Sequence, residues 1–281
     1  MTDRILNIPV TPADLCRWRL LLAPERQPFF LTAGESQGLE LPSQPRAGHS
    51  WTPEDRDTFT IWNVAGQADR VAWLTFGQWA QLPQAKRRAL LGLQVRHGRG
   101  NVPLGQHYVS LVPGLTPGRF LWRAELLTPA VLDRLFLAGA APCQRDLVPR
   151  GVWKRAASSL PRVEALAGTF AEDGQAGNCF GAVMGAAGIA EAEHAWMQRA
   201  PFEAFVRDHT SPGGGDDQPG TLLIWRSADG LSQHAAVTLG GGWAFHKPSQ
   251  SWMTPRQVLP VRTIIRRHRT RGHRLSRFSL G

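Results

Sequence analysis

Apolar and polar positions alternate most cleanly in "SQHAAVTLGGGWAFH", residues 232–246. There Ala235, Val237 and Leu239 interleave with His234, Ala236 and Thr238, ahead of three glycines and a second arm from Trp243 to Lys247. Period-two alternation on both sides of a glycine run predicts a β-hairpin with a histidine on each arm. If Gly240, Gly241 and Gly242 form a three-residue loop, Leu239 faces Trp243 and Ala236 faces His246. His234 and His246 are then diagonal neighbours on one face, roughly 7–8 Å apart at the backbone. A two-residue loop would send His246 to the opposite face.

Helical periodicity predicts four further elements. In "LPQAKRRALLGLQVRHG", Leu90, Leu91, Leu93 and Val95 supply a buried side, with Pro83 at the start and Gly98 at the end. "TPAVLDRLFLAG" reads as a helix with Thr128 as N-cap, Pro129 in the first turn and Gly139 as terminator. Residues 13–22 predict a short helix, and the small, apolar run in "AGNCFGAVMGAAGI" a buried one that Cys179 opens and that ends near Gly188. Residues 23–60, rich in Pro, Gly and charge, read as loops with short strands such as "PFFLTA". "DTFTIWNVAGQADRVAWLTF" reads as two strands around a Gly-containing turn. The segment "AAPCQRDLVPRGVWKRAASSLPR" reads as a connector. The expected fold class is α+β: a mixed N-terminal region of unknown fold over residues 1–155, a domain over 160–265, and a tail over 266–281.

Composition narrows the function. With 281 residues, 42% of them hydrophobic, the chain can bury a sizeable core. Its net charge of +10 is carried mostly by eight arginines from Arg256 onward, a stretch without acidic residues; the rest carries about +2. The basicity is therefore expected to be a property of the tail, read either as an arm that neutralises an anionic polymer, such as nucleic acid, or as a solvated end. Three cysteines without paired spacing suit a reduced compartment and no zinc motif, so neither a metal nor another cofactor is expected. His97, His107, His194 and His209 read as surface or loop residues, and Asp216 and Asp217 as a solvated turn. Charges and prolines interrupt the first residues, so no signal peptide is expected; no run reaches the roughly 20 apolar residues of a membrane span. A cytoplasmic location follows as the expectation.

One constellation carries chemistry. A thiol at a helix N-terminus feels the positive end of the helix dipole, which favours thiolate. A cysteine in that position, followed by a hairpin with His on one arm and a second polar ring on the other, is the arrangement for Cys–His nucleophilic catalysis.

In these residues the chain resembles the NlpC-type cysteine peptidases, which have a papain-like fold and mostly cleave peptide bonds in bacterial cell-wall stems. The resemblance rests on "NCFG" (178–181), "QPGTLLIW" (218–225) and "QHAAVTLGGGWAFHK" (233–247), and covers roughly residues 160–262. It implies a helix-borne cysteine packed on an antiparallel sheet, with Cys179 as nucleophile, His234 as base and His246 orienting His234. Asn178, Phe180 and Gln233 fall at substrate-binding positions. It implies a hydrolase that passes through a thioester acyl-enzyme, with a peptide or other amide as substrate; acyl transfer would use the same apparatus. Asn178 and Phe180 stand where the family has Asp and Ser. The family's upstream tyrosine is missing, because the one tyrosine in the chain is Tyr108 and the nearest aromatic is Phe170. These departures favour the alternative of an inactive papain-like scaffold that binds a polyanion through its basic tail.

Overall fold

The computed structural model describes residues 2–172, 175 and 177–281. The chain is α+β, with antiparallel sheets and eleven helices among the described residues. It divides into two compact units: one from the chain up to Ile5 and Pro9–Leu135, the other from Leu6–Ile8 and Phe136–Gly281. No helix among the described residues is long and apolar enough to cross a membrane.

The first stretch runs β1 (Arg4–Ile5), β2 (Ile8–Pro9), α1 (Pro12–Leu22), β3 (Arg26–Leu31), α2 (Ala33–Leu39), β4 (Gln44–Pro45), α3 (Pro53–Phe59), β5 (Arg70–Thr75), α4 (Phe76–Gln81), α5 (Gln84–Arg96) and α6 (Pro129–Phe136). Helices α1 to α4 share one start signal. Thr11, Thr32, Thr52 and Thr75 each accept the backbone N–H three residues on, and the side chain there, Asp14, Glu35, Asp55 or Gln78, accepts the threonine's own N–H. Residues 53–59 are helical for this reason, although 23–60 was expected to be loops with short strands and a strand was expected to begin at Asp57. Strands β3, β5 and β4 form an antiparallel sheet in that order. Leu90 and Leu91 of α5 pack on its Phe29, Leu31, Ala72 and Leu74. His97, expected at the surface, is buried and bonded to Glu35 Oε2 at 2.8 Å.

The second unit contains α7 (Arg150–Ala156), α8 (Val163–Leu166), α9 (Cys179–Ala186), α10 (Arg199–His209), β6 (Thr210–Pro212), β7 (Pro219–Arg226), β8 (Ser232–Gly240), β9 (Trp243–His246), β10 (Gln257–Pro260), α11 (Val261–Arg267) and β11 (Arg274–Leu280). Six of these strands form one antiparallel sheet in the order β10-β9-β8-β7-β11-β6. Alternation divides its faces. Leu222, Ile224, Ala235, Val237, Phe245 and Val258 meet α7 to α10 in one core. Leu223, Trp225, Ala236, Ala244 and Leu259 meet Val261 and Ile264 of α11 in another.

Two boundaries differ from expectation. The proposed connector contains α7, whose Val152, Trp153 and Ala156 belong to the larger core. The proposed tail is structural: β11 pairs with β7 on one side and β6 on the other, and Arg277 is held by Asp216 at 2.8 Å. In "RLSRFSL", Leu275 packs on the α11 side while Phe278 and Leu280 pack on the α9 side. Phe278 and Leu280 keep the period-two spacing of a strand there among the arginines.

Candidate functional site

Cys179 opens α9 and is buried. Asn178 caps the helix: its Oδ1 accepts the Gly181 N–H at 3.0 Å and its Nδ2 donates to Met197 O at 2.8 Å. Both ends of that side chain are thus committed to structure. Phe180, expected to meet substrate, is a core residue stacked on Phe202 with ring centroids 4.2 Å apart. Gly181 allows the helix to lie against the chain beyond it, since a Cβ there would come within 2.2 Å of Ala192 O. The backbone amides of Ala235, Phe180 and Cys179 itself, with Lys247 beyond them, surround the Cys179 sulfur and favour its charged form. Burial outweighs these contacts and pushes the thiol up to about 11. The thiolate expected from the helix position is therefore reversed: at neutral pH this cysteine is a neutral thiol.

The hairpin keeps the expected Ala236–His246 register by a different turn, and Gly240, not Leu239, faces Trp243. Its loop has two residues, Gly241 and Gly242, with φ of +60° and +80°, as a type I′ connection requires. A loop of that length alone would flip His246. The register shift between Thr238 and Gly240 inserts Leu239 as a bulge and restores the parity, so Val237 faces Phe245 and the next pair is Ala236 with His246. His234 Nε2 and His246 Nδ1 lie 3.3 Å apart.

The relay continues beyond the two predicted rings. His246 Nε2 meets Gln257 Nε2 at 3.0 Å across the β9–β10 pair, and Gln257 Oε1 is buried without a partner. With Gln257 donating, the protons run from His246 Nδ1 to His234 Nε2 and leave Nδ1 of His234 protonated. Turning the amide over makes Oε1 the acceptor, reverses the chain and leaves His234 Nδ1 with a free lone pair. His268, the residue that caps α11, stacks on His234 at 3.7 Å and 10°. Burial holds the pKa of all three rings below the ordinary histidine value. His268, then His246, adds to the effect on His234; His268, then Arg267, adds to it on His246; and Arg267 alone adds to it on His268, which is lowered to about 4. All three are neutral at pH 7.

The structure brings His234 and His246 together and keeps the sulfur apart from both. Ala235, whose amide meets the sulfur, faces α9, whereas His234 and His246 share the opposite face with Ala236, Ala244 and Trp225. Among the described residues no hydrogen bond joins the Cys179 thiol to any of the three rings. Gln233 is exposed and donates to Ser227 Oγ at 2.7 Å. Tyr108 lies in an aromatic cluster of the first unit, 4.9 Å from Trp122. Phe170 packs on Phe136 at 5.8 Å.

Neither a protein-family model, nor a curated protein, nor a solved structure matches this chain. The site rests on its own geometry.

Two of its residues were missed in the sequence. His268 had a signal: Val261, Ile264, Ile265 and His268 follow i, i+3, i+4, i+7 and form the buried stripe of α11. Gln257 had none, because only the strand register puts it opposite His246.

Proposed function

We propose that the second unit is a cysteine hydrolase of papain-like, NlpC-type architecture that cleaves an amide bond, with Cys179 as nucleophile, His234 as base and His246 orienting it. The observation that carries this reading is the His234–His246–Gln257 relay on β8, β9 and β10, one residue from Ala235, whose amide lies by the Cys179 sulfur. In this reading the start of β8 rearranges to bring His234 to the sulfur, because side-chain torsions alone do not carry the ring from the α11 face to the α9 face, and its Nδ1 arrives deprotonated from the Gln257 orientation that accepts from His246. His234 takes the thiol proton and the sulfur adds to the amide carbonyl. The C–N bond breaks as His234 returns that proton to the leaving amine. Water then adds to the thioester, gives a proton to His234 and releases the acid, and the proton restores the thiol. Amides at the α9 start face the oxyanion. Peptides derived from bacterial cell wall are the first substrates to try, on the resemblance alone; a cytoplasmic enzyme would meet them as recycled fragments. Asn178 and Phe180 recognise no substrate in this reading, since capping and core packing occupy them.

The test is labelling of Cys179 by a peptide carrying an electrophile in place of the scissile carbonyl, followed by turnover of matching amides. His234→Ala is expected to lower both by a factor on the order of 100–10,000. Equal labelling in the parent and His234→Ala, with no amide cleaved, would overturn the reading.

One observation favours a second reading, a scaffold that binds a polyanion: Arg262, Arg266, Arg267, Arg269, Arg271 and Arg274 are exposed along α11 and the turn after it. Deleting residues 266–281 would remove a sheet strand, so the discriminating variant exchanges Arg266, Arg269 and Arg271 for Gln. Nucleic-acid binding that falls steeply with salt, and is lost in that variant, would favour the scaffold.

A further inference from the structure

Three buried or half-buried imidazoles with no carboxylate among them need an explanation, since proteins seldom bury polar rings without partners. One ring nitrogen from each of His234, His246 and His268 lies within 4.8 Å of the other two. His234 and His246 are fixed by neighbouring strands, and His268 by the end of α11. Zn–N bonds of about 2.0–2.1 Å at a tetrahedral angle hold two ligand nitrogens roughly 3.3 Å apart. His234 Nε2 and His246 Nδ1 already have that spacing. Among the described residues the His268 ring makes no hydrogen bond, and its partial exposure leaves an approach from solvent.

We infer that His234, His246 and His268 form a three-histidine site for a divalent cation of the zinc class, with an open fourth position. The donor set selects the metal: three neutral nitrogens suit Zn²⁺, Co²⁺, Ni²⁺ or Cu²⁺, whereas Mg²⁺ and Ca²⁺ require oxygens. Arg267 beside His246 and His268 adds repulsion, which only a cation held by strong nitrogen bonds overcomes.

The outer shell is present as well. A His246 that ligates through Nδ1 carries its proton on Nε2, where Gln257 Oε1, now without a partner, accepts it once the amide turns over. Loading requires each ring to give up any proton on its ligating nitrogen, so binding releases the hydrogen bond between His234 and His246, and the His268 ring tilts out of its stack on His234 so that both lone pairs meet one ion. A His234 that ligates through Nε2 has its Nδ1 protonated. It cannot then serve as a base, so the loaded protein is expected to be inactive as a thiol hydrolase. The metal site itself does not depend on the hydrolase reading.

The experiment is titration of chelator-treated, tag-free full-length protein with Co²⁺. The expected result is a visible ligand-field band that saturates at one equivalent, without the near-ultraviolet charge-transfer band of a thiolate ligand. His268→Gln, which leaves the His234–His246 pair intact, should weaken binding roughly 100-fold, and Gln257→Leu about 10-fold. His194→Ala should change nothing. In the unmodified protein, Zn²⁺ should shift three of the nine imidazole signals in the NMR spectrum, a readout that needs no variant to fold. The inference is overturned by the absence of a saturating band, by undiminished binding in folded His268→Gln, or by a charge-transfer band that Cys179→Ser removes.

Discussion

The two faces of the six-stranded sheet bury polar chemistry in opposite ways. On the α9 side, one sulfur lies among Phe180, Ala182, Val183 and Ala235 and receives only backbone amides, so the medium keeps it protonated. The nearby ammonium of Lys247 is spent on Ser249 O, Ser251 O and Thr254 Oγ1 at 2.8, 2.6 and 3.1 Å. On the α11 side, three rings face one another with lone pairs close enough to share a proton or a cation. A buried polar group is inert when its partners are all backbone, and adaptable when they are side chains that can turn. That difference in packing sets which face can respond to a ligand.

Breaking the α9 face has the largest expected effect. Phe202 is fully buried and stacks on Phe180, the neighbour of Cys179 in sequence. Phe202→Ala should cost about 3–5 kcal/mol, as burial is lost and a cavity forms. It should also speed alkylation of Cys179 by admitting water to the thiol, while the imidazole signals of the α11 face keep their positions. Urea denaturation and mass-spectrometric alkylation rates measure the two halves. A loss under about 1 kcal/mol would mean that the α9 core does not hold the thiol down.

The hairpin was legible because its alternation, its glycines and the spacing of its histidines each act locally, and a bulge preserved the face on which His246 lies. Helices α1, α5, α6 and α9 were legible for the same reason. Helices α2 and α3 were written in the sequence as "TAGE" and "TPED", capping boxes hidden by surrounding proline, glycine and charge. The last strand was hidden by its charge: Arg274 and Arg277 alternate with Leu275 and Phe278, and the eye follows the arginines. What local pattern does not carry is the side of the sheet on which the cysteine helix packs. That choice depends on which of two apolar faces α9 covers, and both faces of β8 offer alanines to it. Gln257 and the stacking of His268 on His234 were out of reach for the same reason, since tertiary register alone creates them.

Alkali sharpens the comparison from the thiol side. The folded Cys179 loses its proton only at about 11, above the ordinary value of 9.0, because the buried sulfur resists charge. Below 9.0 both the folded and unfolded states keep the proton, so the group leaves stability unchanged. Between 9.0 and about 11 the unfolded state has released its proton and the folded state has not, so stability falls as pH rises. The unfolding free energy of the parent minus that of Cys179→Ser should decline across this window and be flat below it. A flat difference throughout would place the thiol in water instead of in the core, and the contrast between the faces would weaken.

The smallest expected effect concerns the cap alone. Asn178→Ala removes the acceptor for the Gly181 N–H and the donor to Met197 O, and should cost about 1 kcal/mol in thermal or urea unfolding. Asn178→Asp, the residue that the proposed NlpC-type reading would place there, keeps the acceptor and adds a favourable charge at the helix start. It also sets a carboxylate oxygen against Met197 O in place of the amide donor, and the two carbonyl-type oxygens repel. The aspartate variant should therefore recover only part of what alanine loses. Full recovery would mean that the Met197 bond contributes nothing and that the helix dipole decides the position. Partial recovery would mean that asparagine is here because two partners, one donor and one acceptor, must be met at once. Neither variant should move the imidazole signals on the α11 face, since the cap reaches only the backbone of its own helix and of Met197.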